Sequence, residues 1–332
     1  MERKKLGNTD LELTRVGLGT WAIGGSWQFG WGPQDDEDSI PTILEAIDAG
    51  INWIDTAPIY GCGHSEEVIG RALKQLSEKP IIATKCGLRW DEQNRRAPSL
   101  DADSIREEID ESLERLGVEV IDLYQIHWPE PEEKIEEAWE EIARAVEVGK
   151  IRYAGVSNFD VEQIQRLQLI HPVASVQPPY SMLRRFIEED LLGFCAESNI
   201  GVICYSPMQK GLLTGKFTPE KVRALADDDH RRRDPSFNPP IFDVYCKLIE
   251  DLRPIAEKAG MTMAQMAISW VLRRPEVTAA IVGARKTGQI KETVQAADKK
   301  LSEQELQQIE ELLKDSHEVV MKFWEQFRRR KK

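Results

Sequence analysis

Residues 52–70 read NWIDTAPIYGCGHSEEVIG, and the fold of the whole chain follows from this stretch. Its first part, NWIDTA, is a short apolar run of the kind that forms a buried β-strand. A glycine-punctuated loop follows, in which Asp55, Tyr60 and His64 occur close together, and a helix is predicted from Ser65. The stretch is therefore one strand–loop–helix unit that places an acid and a phenol just after a strand.

The same unit recurs along nearly the entire chain, because short apolar runs alternate with helical patterns. This alternation is typical of parallel βα units. Eight strands are predicted, at residues 15–21, 52–57, 80–87, 121–128, 151–158, 174–180, 201–207 and 278–284. Eight such units close most simply into an α/β fold of the (β/α)8 TIM barrel type, with catalytic groups after the carboxyl ends of the strands. We expect residues 1–332 to form one such domain, with 317–332 as a solvated or loosely docked tail.

Three segments depart from the repeating pattern. Residues 4–14, KKLGNTDLELT, carry a turn between two short β runs, which predicts an N-terminal hairpin that caps the other end of the barrel. Residues 24–38 are rich in Gly and Trp. Residues 208–240 make the loop after strand seven far longer than a usual βα loop, and loops of this length are commonly lids or clamps.

The composition excludes several classes of protein. Hydrophobic residues make up 41% and charged residues 30% of the chain, and no apolar run is long enough to span a bilayer. A formal net charge of -13 argues against a nucleic-acid partner, and the basic residues 328–332 are interpreted as a solvated end. The amino terminus lacks a secretory apolar segment, so we expect a cytoplasmic protein. The five cysteines occur singly, which favours reduced thiols over disulfides or a zinc site.

A partial match to the dinucleotide-binding fingerprint is rejected. Gly17, Gly19 and Ala22 fit the spacing G-x-G-x-x-A after a strand. That fingerprint requires a helix to begin at once, so that its N-terminus holds the pyrophosphate. No helix is predicted here before about Asp35, so the match is accidental.

Four polar residues follow neighbouring predicted strands. Asp55 and Tyr60 follow strand two, Lys85 ends strand three, and His127 ends strand four. Each of them alone has an ordinary structural explanation, such as capping backbone groups or packing in the core. Because the carboxyl ends of the strands share one mouth of the barrel, the four together favour a catalytic site.

At these residues the chain resembles the aldo-keto reductases, and the resemblance covers nearly the whole sequence. It is carried by GLGTW, WIDTAPIYGCGHSEEVIGRAL, ATKCG, ESLERLGVEVIDLYQIHWPEP, GKIRYAGVSNF, QPPYS, YSPMQKGLLTGK and VGARKTGQIKE. Among the branches of that family, the chain is similar to the bacterial one that includes the general stress protein reductases. The resemblance implies an NADP-dependent oxidoreductase with the catalytic tetrad Asp55, Tyr60, Lys85 and His127.

The chemistry of carbonyl reduction explains why these four residue types occur together. The reaction needs a proton donor for the developing alkoxide, and a free phenol has a pKa of about 10. An ammonium ~4 Å away favours the phenolate by about 4 kcal/mol, or roughly three pKa units, so Lys85 is expected to acidify Tyr60. Asp55 would hold Lys85 charged, and His127 would orient the carbonyl oxygen. No metal is needed for these roles.

The hydride must come from a cofactor, since no side chain supplies one. The resemblance implies a nicotinamide dinucleotide that lies across the barrel mouth. The residues implied at the nicotinamide end are Thr20, Trp21, Asp55, Ser157, Asn158, Gln177 and Tyr205. Those implied at the pyrophosphate and adenosine end are Ser206, Pro207, Met208, Gln209, Lys210, Leu212, Gly215, Lys216, Gly283, Ala284, Arg285, Gln289 and Glu292.

Two adjacent cations, Arg285 and Lys286, favour NADPH (NADP+) over NADH. They follow the last predicted strand, where TIM barrels often bind phosphate, and would suit a 2′-phosphate. The chain departs from the common family pattern at Thr293, where an Asn often contacts adenine. The strength of the preference for NADPH stays open.

The substrate is less well defined than the cofactor. Trp21, Trp27, Trp31, Trp90 and Trp128 fall in or beside βα loops and predict an aromatic pocket for small-molecule carbonyls such as aldehydes, dicarbonyls and quinones. One alternative is a redox-sensing subunit of the channel-associated type, with tight NADPH binding and marginal turnover. A metal-dependent hydrolase is disfavoured because no strand carries H-x-H. A monomer and an oligomer are both compatible with the sequence.

Overall fold

The computed structural model describes residues 1–330, with side-chain environments up to Met321. Twelve strands are present in this part of the chain: β1 Arg3–Lys5, β2 Glu12–Thr14, β3 Val16–Gly19, β4 Trp53–Asp55, β5 Ile81–Cys86, β6 Leu88–Trp90, β7 Arg96–Pro98, β8 Ile121–Ile126, β9 Ile151–Ser157, β10 Ser175–Gln177, β11 Gly201–Cys204 and β12 Val277–Gly283. Eight of them, β3, β4, β5, β8, β9, β10, β11 and β12, form a closed barrel in that order. Every pair in the barrel is parallel, which confirms the predicted (β/α)8 fold.

The helices lie between the strands and cover the barrel. Their bounds are α1 Asp36–Asp48, α2 His64–Leu73, α3 Ala102–Leu116, α4 Ile135–Glu147, α5 Val161–Gln168, α6 Leu191–Glu197, α7 Pro219–Arg223, α8 Ile241–Lys258, α9 Met263–Leu272, α10 Gln289–Thr293 and α11 Glu303–Arg330. After β3 the chain makes a 3-10 turn at Trp21–Gly24, and its first α-helix begins at Asp36. The helix that a dinucleotide-binding fingerprint requires directly after the strand is therefore not formed, as predicted. Among the described residues, no helix combines the length and apolar character needed to cross a membrane.

The N-terminal hairpin closes the lower end of the barrel, as the sequence predicted. β1 and β2 pair antiparallel. The side chains of Leu6, Leu11 and Leu13 pack into the apolar cluster that fills the barrel with Trp53 and Leu123. This cluster forms a plug, so the barrel opens at its carboxyl-terminal mouth.

The last helix changes the picture of the C-terminus. Residues 317–330, expected as a tail, continue α11 without a break, and α11 packs against α8. Val320 within this stretch is buried. The predicted tail therefore includes helix up to Arg330, its loose docking stays a prediction, and residues 331–332 lie outside the described residues.

One glycine allows the barrel plug to fit. A Cβ at Gly17 of β3 would lie 2.0 Å from the indole of Trp53, which is fully buried. Neither the ring nor the strand has room to move, because the Trp53 indole Nε1 also donates to the Thr14 carbonyl at 2.9 Å. Position 17 therefore has to be glycine for reasons of packing.

We expect Gly17→Ala to lower the free energy of unfolding by about 1–3 kcal/mol, the usual cost of overpacking a core. In a Trp53→Leu background the same change should cost less, because the smaller side chain leaves space. Urea denaturation of the four proteins measures this coupling, and equal costs in both backgrounds would contradict the packing argument. Gly193→Ala in α6 is the control, since its Cβ would meet nothing within 4 Å.

Candidate active site

A step of two residues along each strand leads from the apolar plug to a polar layer. In β4 Asp55 lies two residues after Trp53 on the same face of the strand, and in β5 Lys85 lies two residues after Ala83. Lys85 is completely buried, and its Nζ donates to Asp55 Oδ1 at 2.6 Å and to the Thr56 carbonyl at 2.8 Å. Its third neighbour is the Tyr60 hydroxyl at 3.4 Å. The structure thus joins three of the four predicted residues in one chain of contacts.

His127 completes the group from the other side of the phenol. Its ring meets the Tyr60 ring edge to face, with centroids 5.8 Å apart. Burial lowers the pKa of His127 well below its usual value, and the charges of Lys85 and Arg96 lower it further. The imidazole is therefore neutral at pH 7 and can donate one N–H hydrogen bond to a carbonyl oxygen.

The predicted acidification of Tyr60 is not what the structure indicates. Burial raises the pKa of Tyr60 well above its usual value, and the charge of Asp55 raises it further. The physical reason is that Lys85 is already paired with Asp55 at 2.6 Å, so its charge is largely cancelled at the phenol. A protonated phenol still suits a proton donor, because an alkoxide is far more basic than a phenolate.

Two glutamines hold the remaining oxygen of Asp55. Asp55 Oδ2 accepts from Gln177 Nε2 at 2.7 Å and from Gln125 Nε2 at 3.4 Å. Sequence reasoning missed Gln125. The signal was present in the strand IDLYQIHW, because alternation places Leu123, Gln125 and His127 on the same face.

The layer lies at the floor of a cavity of about 660 Å³ at the barrel mouth. The predicted cofactor residues that line it are Thr20, Trp21, Asp55, Ser157, Asn158, Gln177, Tyr205, Ser206, Pro207, Met208, Lys210, Lys216, Gly283, Ala284, Arg285, Gln289 and Glu292. Gln209, Leu212 and Gly215 are not part of the lining, and Gly211 and Thr214 line the cavity beside them. Leu212 faces the core instead, with 1% of its surface exposed.

The aromatic wall agrees in part with the prediction. Trp21, Trp27, Trp31 and Trp128 line the cavity, whereas Trp90 packs behind it against Leu88 and Ile59. Sequence reasoning missed two further aromatic side chains, Phe29 and Phe217. An ion pair between Arg96 and Glu130 adds polar groups to this otherwise apolar wall.

Side chains expected at the nicotinamide are linked to one another. Ser157 Oγ donates to the Gln177 carbonyl at 2.8 Å. Asn158 Nδ2 donates to the His127 carbonyl at 2.9 Å and to Ser157 Oγ at 3.0 Å, and its Oδ1 accepts from the Tyr205 hydroxyl at 2.8 Å. These bonds fix the positions of strand ends β8, β9, β10 and β11 relative to one another.

Arg285 is engaged differently from the expected phosphate contact. Its guanidinium donates to Gln34 Oε1 at 2.8 Å, to the Trp31 carbonyl at 3.0 Å and to the Pro33 carbonyl. Arg285, which lines the cavity, therefore fastens the loop after β3. Lys286 is more available than Arg285 to bind an anion, since its side chain is 68% exposed and its Nζ lies 3.7 Å from the nearest acid, Asp38.

The long loop after β11 meets the loop after β3 above the cavity. The backbone N–H and the ring Nδ1 of His230 both contact the Gly30 carbonyl, at 3.1 Å and 3.0 Å. The His230 ring stacks on Trp21 with centroids 4.8 Å apart, and Arg231 lies 4.4 Å from the centre of the Trp31 ring. Residues of the loop 208–240, which has a length typical of lids and clamps, thus form a bridge over one side of the mouth.

The pKa of Tyr60 can be measured directly. Because burial and Asp55 both raise it, we expect no phenolate from Tyr60 below about pH 10. Ultraviolet difference spectra of the wild type against Tyr60→Phe, recorded during alkaline titration, isolate this group. A phenolate signal that appears between pH 7 and 9 would contradict this expectation and support the prediction that Lys85 lowers the pKa of Tyr60.

Comparison with known proteins agrees with this fold. The aldo-keto reductase YhdN of Bacillus subtilis is 41% identical over 293 residues, 87% of each chain. The NADH-specific methylglyoxal reductase of Escherichia coli is 35% identical over 322 residues, 91% of this chain and 95% of that one. The structure of the glycerol dehydrogenase AKR11B4 from Gluconobacter oxydans superimposes with a TM-score of 0.86 at 40% identity, covering 94% and 95% of the two chains. Since the model of the Aldo/keto reductase family matches residues 15–314 as well, the chain belongs to the aldo-keto reductase family.

Proposed function

We propose that this protein reduces small aldehydes, ketones and dicarbonyls to alcohols with NADPH, and that Tyr60 is the general acid. The observation that supports this most is the chain of contacts from Asp55 through Lys85 to Tyr60, with His127 edge-on to the phenol at the cavity floor. Two hydrogen-bond donors therefore converge where a carbonyl oxygen would lie. Relatives named as a methylglyoxal reductase and a glycerol dehydrogenase fit a small, oxygen-rich substrate.

The chain's own residues account for the movement of the proton. A nicotinamide cofactor supplies hydride to the carbonyl carbon when it is bound. The neutral His127 would donate a hydrogen bond to the carbonyl oxygen and so stabilise the negative charge that develops on it. The Tyr60 hydroxyl transfers its proton to this oxygen and gives the alcohol. The Lys85 ammonium, 3.4 Å from the Tyr60 oxygen, donates a hydrogen bond to the phenolate that remains until solvent returns a proton, and Asp55 keeps Lys85 charged and in place.

The cavity residues fit a nicotinamide dinucleotide. Gln177 faces the cavity close to the catalytic layer, while the turn from Ser206 to Gly211 follows β11 with several residues at positive φ. Such turns bring backbone close to a ligand, as a pyrophosphate requires. Lys210 and Lys216 add cations there, although each is paired with an acid, Asp234 at 2.7 Å and Glu292 at 3.5 Å.

NADPH is proposed over NADH because of Lys286, an exposed cation that directly follows the cavity-lining residues Ala284 and Arg285 in the sequence. Arg285 serves the site indirectly, by holding residues 31–34. Carbonyl detoxification is the cellular role that we propose for this reaction. The relative named as NADH-specific makes a direct comparison of the two cofactors necessary.

We expect the wild type to turn over members of a panel of aldehydes, dicarbonyls and quinones with NADPH, and Tyr60→Phe to lose at least about a hundredfold in kcat. Cofactor affinity should change little, because the hydroxyl acts only in the chemical step. Tyr153→Phe is the matched control, since its hydroxyl binds Asp10 at the other end of the barrel. If Tyr60→Phe kept more than about a tenth of wild-type turnover, Tyr60 would not be the acid. Tight NADPH retention with no turnover on the whole panel would support the redox-sensing alternative.

We expect the two cations at the adenosine end to behave differently. Lys286→Ala should weaken NADPH about three- to tenfold and leave NADH unchanged, because only NADPH carries the 2′-phosphate. Arg285→Ala should weaken both cofactors by similar factors, because it releases the loop after β3. Fluorescence titrations at low and moderate salt measure all four constants. A loss confined to NADPH in Arg285→Ala would mean that its guanidinium leaves the loop to bind the phosphate.

A further inference from the structure

A buried triangle of polar side chains lies directly beneath the cavity. Its members are Asp55, Gln125 and Gln177, and at most 3% of the surface of any of them is exposed. Gln177 Nε2 donates to Asp55 Oδ2 at 2.7 Å and to Gln125 Oε1 at 3.2 Å. Gln125 Nε2 closes the triangle with a longer contact of 3.4 Å to Asp55 Oδ2.

The chemistry of a carboxylate sets the direction of these bonds. Asp55 Oδ1 accepts from the Lys85 ammonium, and an ionised carboxylate offers only acceptors. Gln177 must therefore turn its NH2 group towards Asp55 and its Oε1 away from it. No donor among the described residues bonds to Gln177 Oε1, and Gln177 lines the cavity. An amide oxygen is thus presented to whatever ligand lies on the cavity floor.

Gln125 uses the second N–H of the Gln177 amide. With one N–H on Asp55 and the other on Gln125, the plane of that amide is fixed. Without Gln125, the second N–H would be buried without a partner, and the amide could turn to find one. Gln125 is closely surrounded on the side of β9, because a Cβ at its partner Gly155 would lie 3.2 Å from Gln125 Cγ as well as 2.5 Å from Ser175 Oγ.

The neighbouring polar side chains, Ser157 and Asn158, do not present an acceptor oxygen that is free of hydrogen bonds within the described residues. Ser157 Oγ donates to the backbone carbonyl of Gln177. Both N–H groups of the Asn158 side-chain amide are engaged, by the backbone carbonyl of His127 and by Ser157 Oγ. Asn158 Oδ1 already accepts from Tyr205. Gln177 Oε1 is consequently the acceptor best placed for a ligand that brings an N–H donor, as the carboxamide of nicotinamide does.

We infer that Gln125 is a positioning residue that, by bonding the second N–H of Gln177, locks Gln177 Oε1 towards the cavity, where the family resemblance places the nicotinamide carboxamide. The inference rests on the proposed nicotinamide cofactor and goes beyond it by assigning a role to Gln125. Gln125 touches neither cofactor nor substrate. It acts through Gln177 by fixing how the nicotinamide ring is oriented over the catalytic layer.

The test uses a cofactor analogue that lacks the group in question. In the 3-acetylpyridine analogue of NADP+ a methyl ketone replaces the carboxamide, so there is no NH2 to donate. Dissociation constants for NADP+ and for this analogue can be measured by quenching of tryptophan fluorescence, independently of turnover. The variant is Gln125→Met, which keeps the side-chain length and removes the amide. The control is Leu123→Met, on the same strand and the same face one step below.

We expect Gln125→Met to weaken NADP+ about three- to tenfold, the usual range for one lost hydrogen bond, and the analogue less than about twofold. Leu123→Met should leave both constants within about twofold. Equal losses for the two dinucleotides, or no loss for either, would overturn the role of Gln125. If Gln125→Met fails to fold, Gln125→Asn gives the same comparison, because it withdraws the amide by one methylene. Failure of the wild type to bind either dinucleotide would instead overturn the proposed function.

Discussion

The buried ion pair between Lys85 and Asp55 is the interaction on which the site depends. Removing two charges from water is costly, and their attraction offsets this only when the remaining hydrogen-bonding positions are also filled. Here they are filled by the Thr56 carbonyl and the Tyr60 hydroxyl on one side and by two glutamine amides on the other. The pair thereby dictates the polarity of its surroundings and fixes the positions of groups on four strands.

In the barrel, the apolar layer that stabilises the fold and the polar layer of the candidate site are only two residues apart along each strand. One layer below the ion pair, the side chains are those of Trp53, Ala83 and Leu123, packed against the N-terminal hairpin. One step up each strand, these become Asp55, Lys85 and Gln125. Because side chains alternate along a strand, the same three strands supply both layers without a change of direction. The rigid plug is what holds the polar layer in place from below.

Much of the architecture could be predicted from the sequence, because strand periodicity and strand-end polar residues are local patterns. The eight barrel strands, the hairpin and the convergence of Asp55, Tyr60, Lys85 and His127 all follow from them. The engagement of Arg285 by residues 31–34 could not be predicted, since it joins loops about 250 residues apart in sequence. The pKa of Tyr60 depends on how deeply the phenol is buried and on its distance from the Asp55 charge, and neither can be read from the sequence. The burial of Val320 in α11 could not be predicted, because a charged amphipathic end has the same sequence pattern whether it packs or not.

The closed lower end of the barrel also determines where the protein can be attached to other things. Met1 precedes a hairpin whose neighbours are the starts of the barrel strands: Thr14 accepts from and donates to Asn52, and Lys4 binds the backbone just before and at the start of β12. The amino terminus is therefore at the opposite end of the molecule from the cavity. A fusion partner, an affinity tag or a solid support joined there would leave the mouth facing solution. When many copies are attached to a surface or an electrode through the amino terminus, the barrel mouth of each copy therefore stays open.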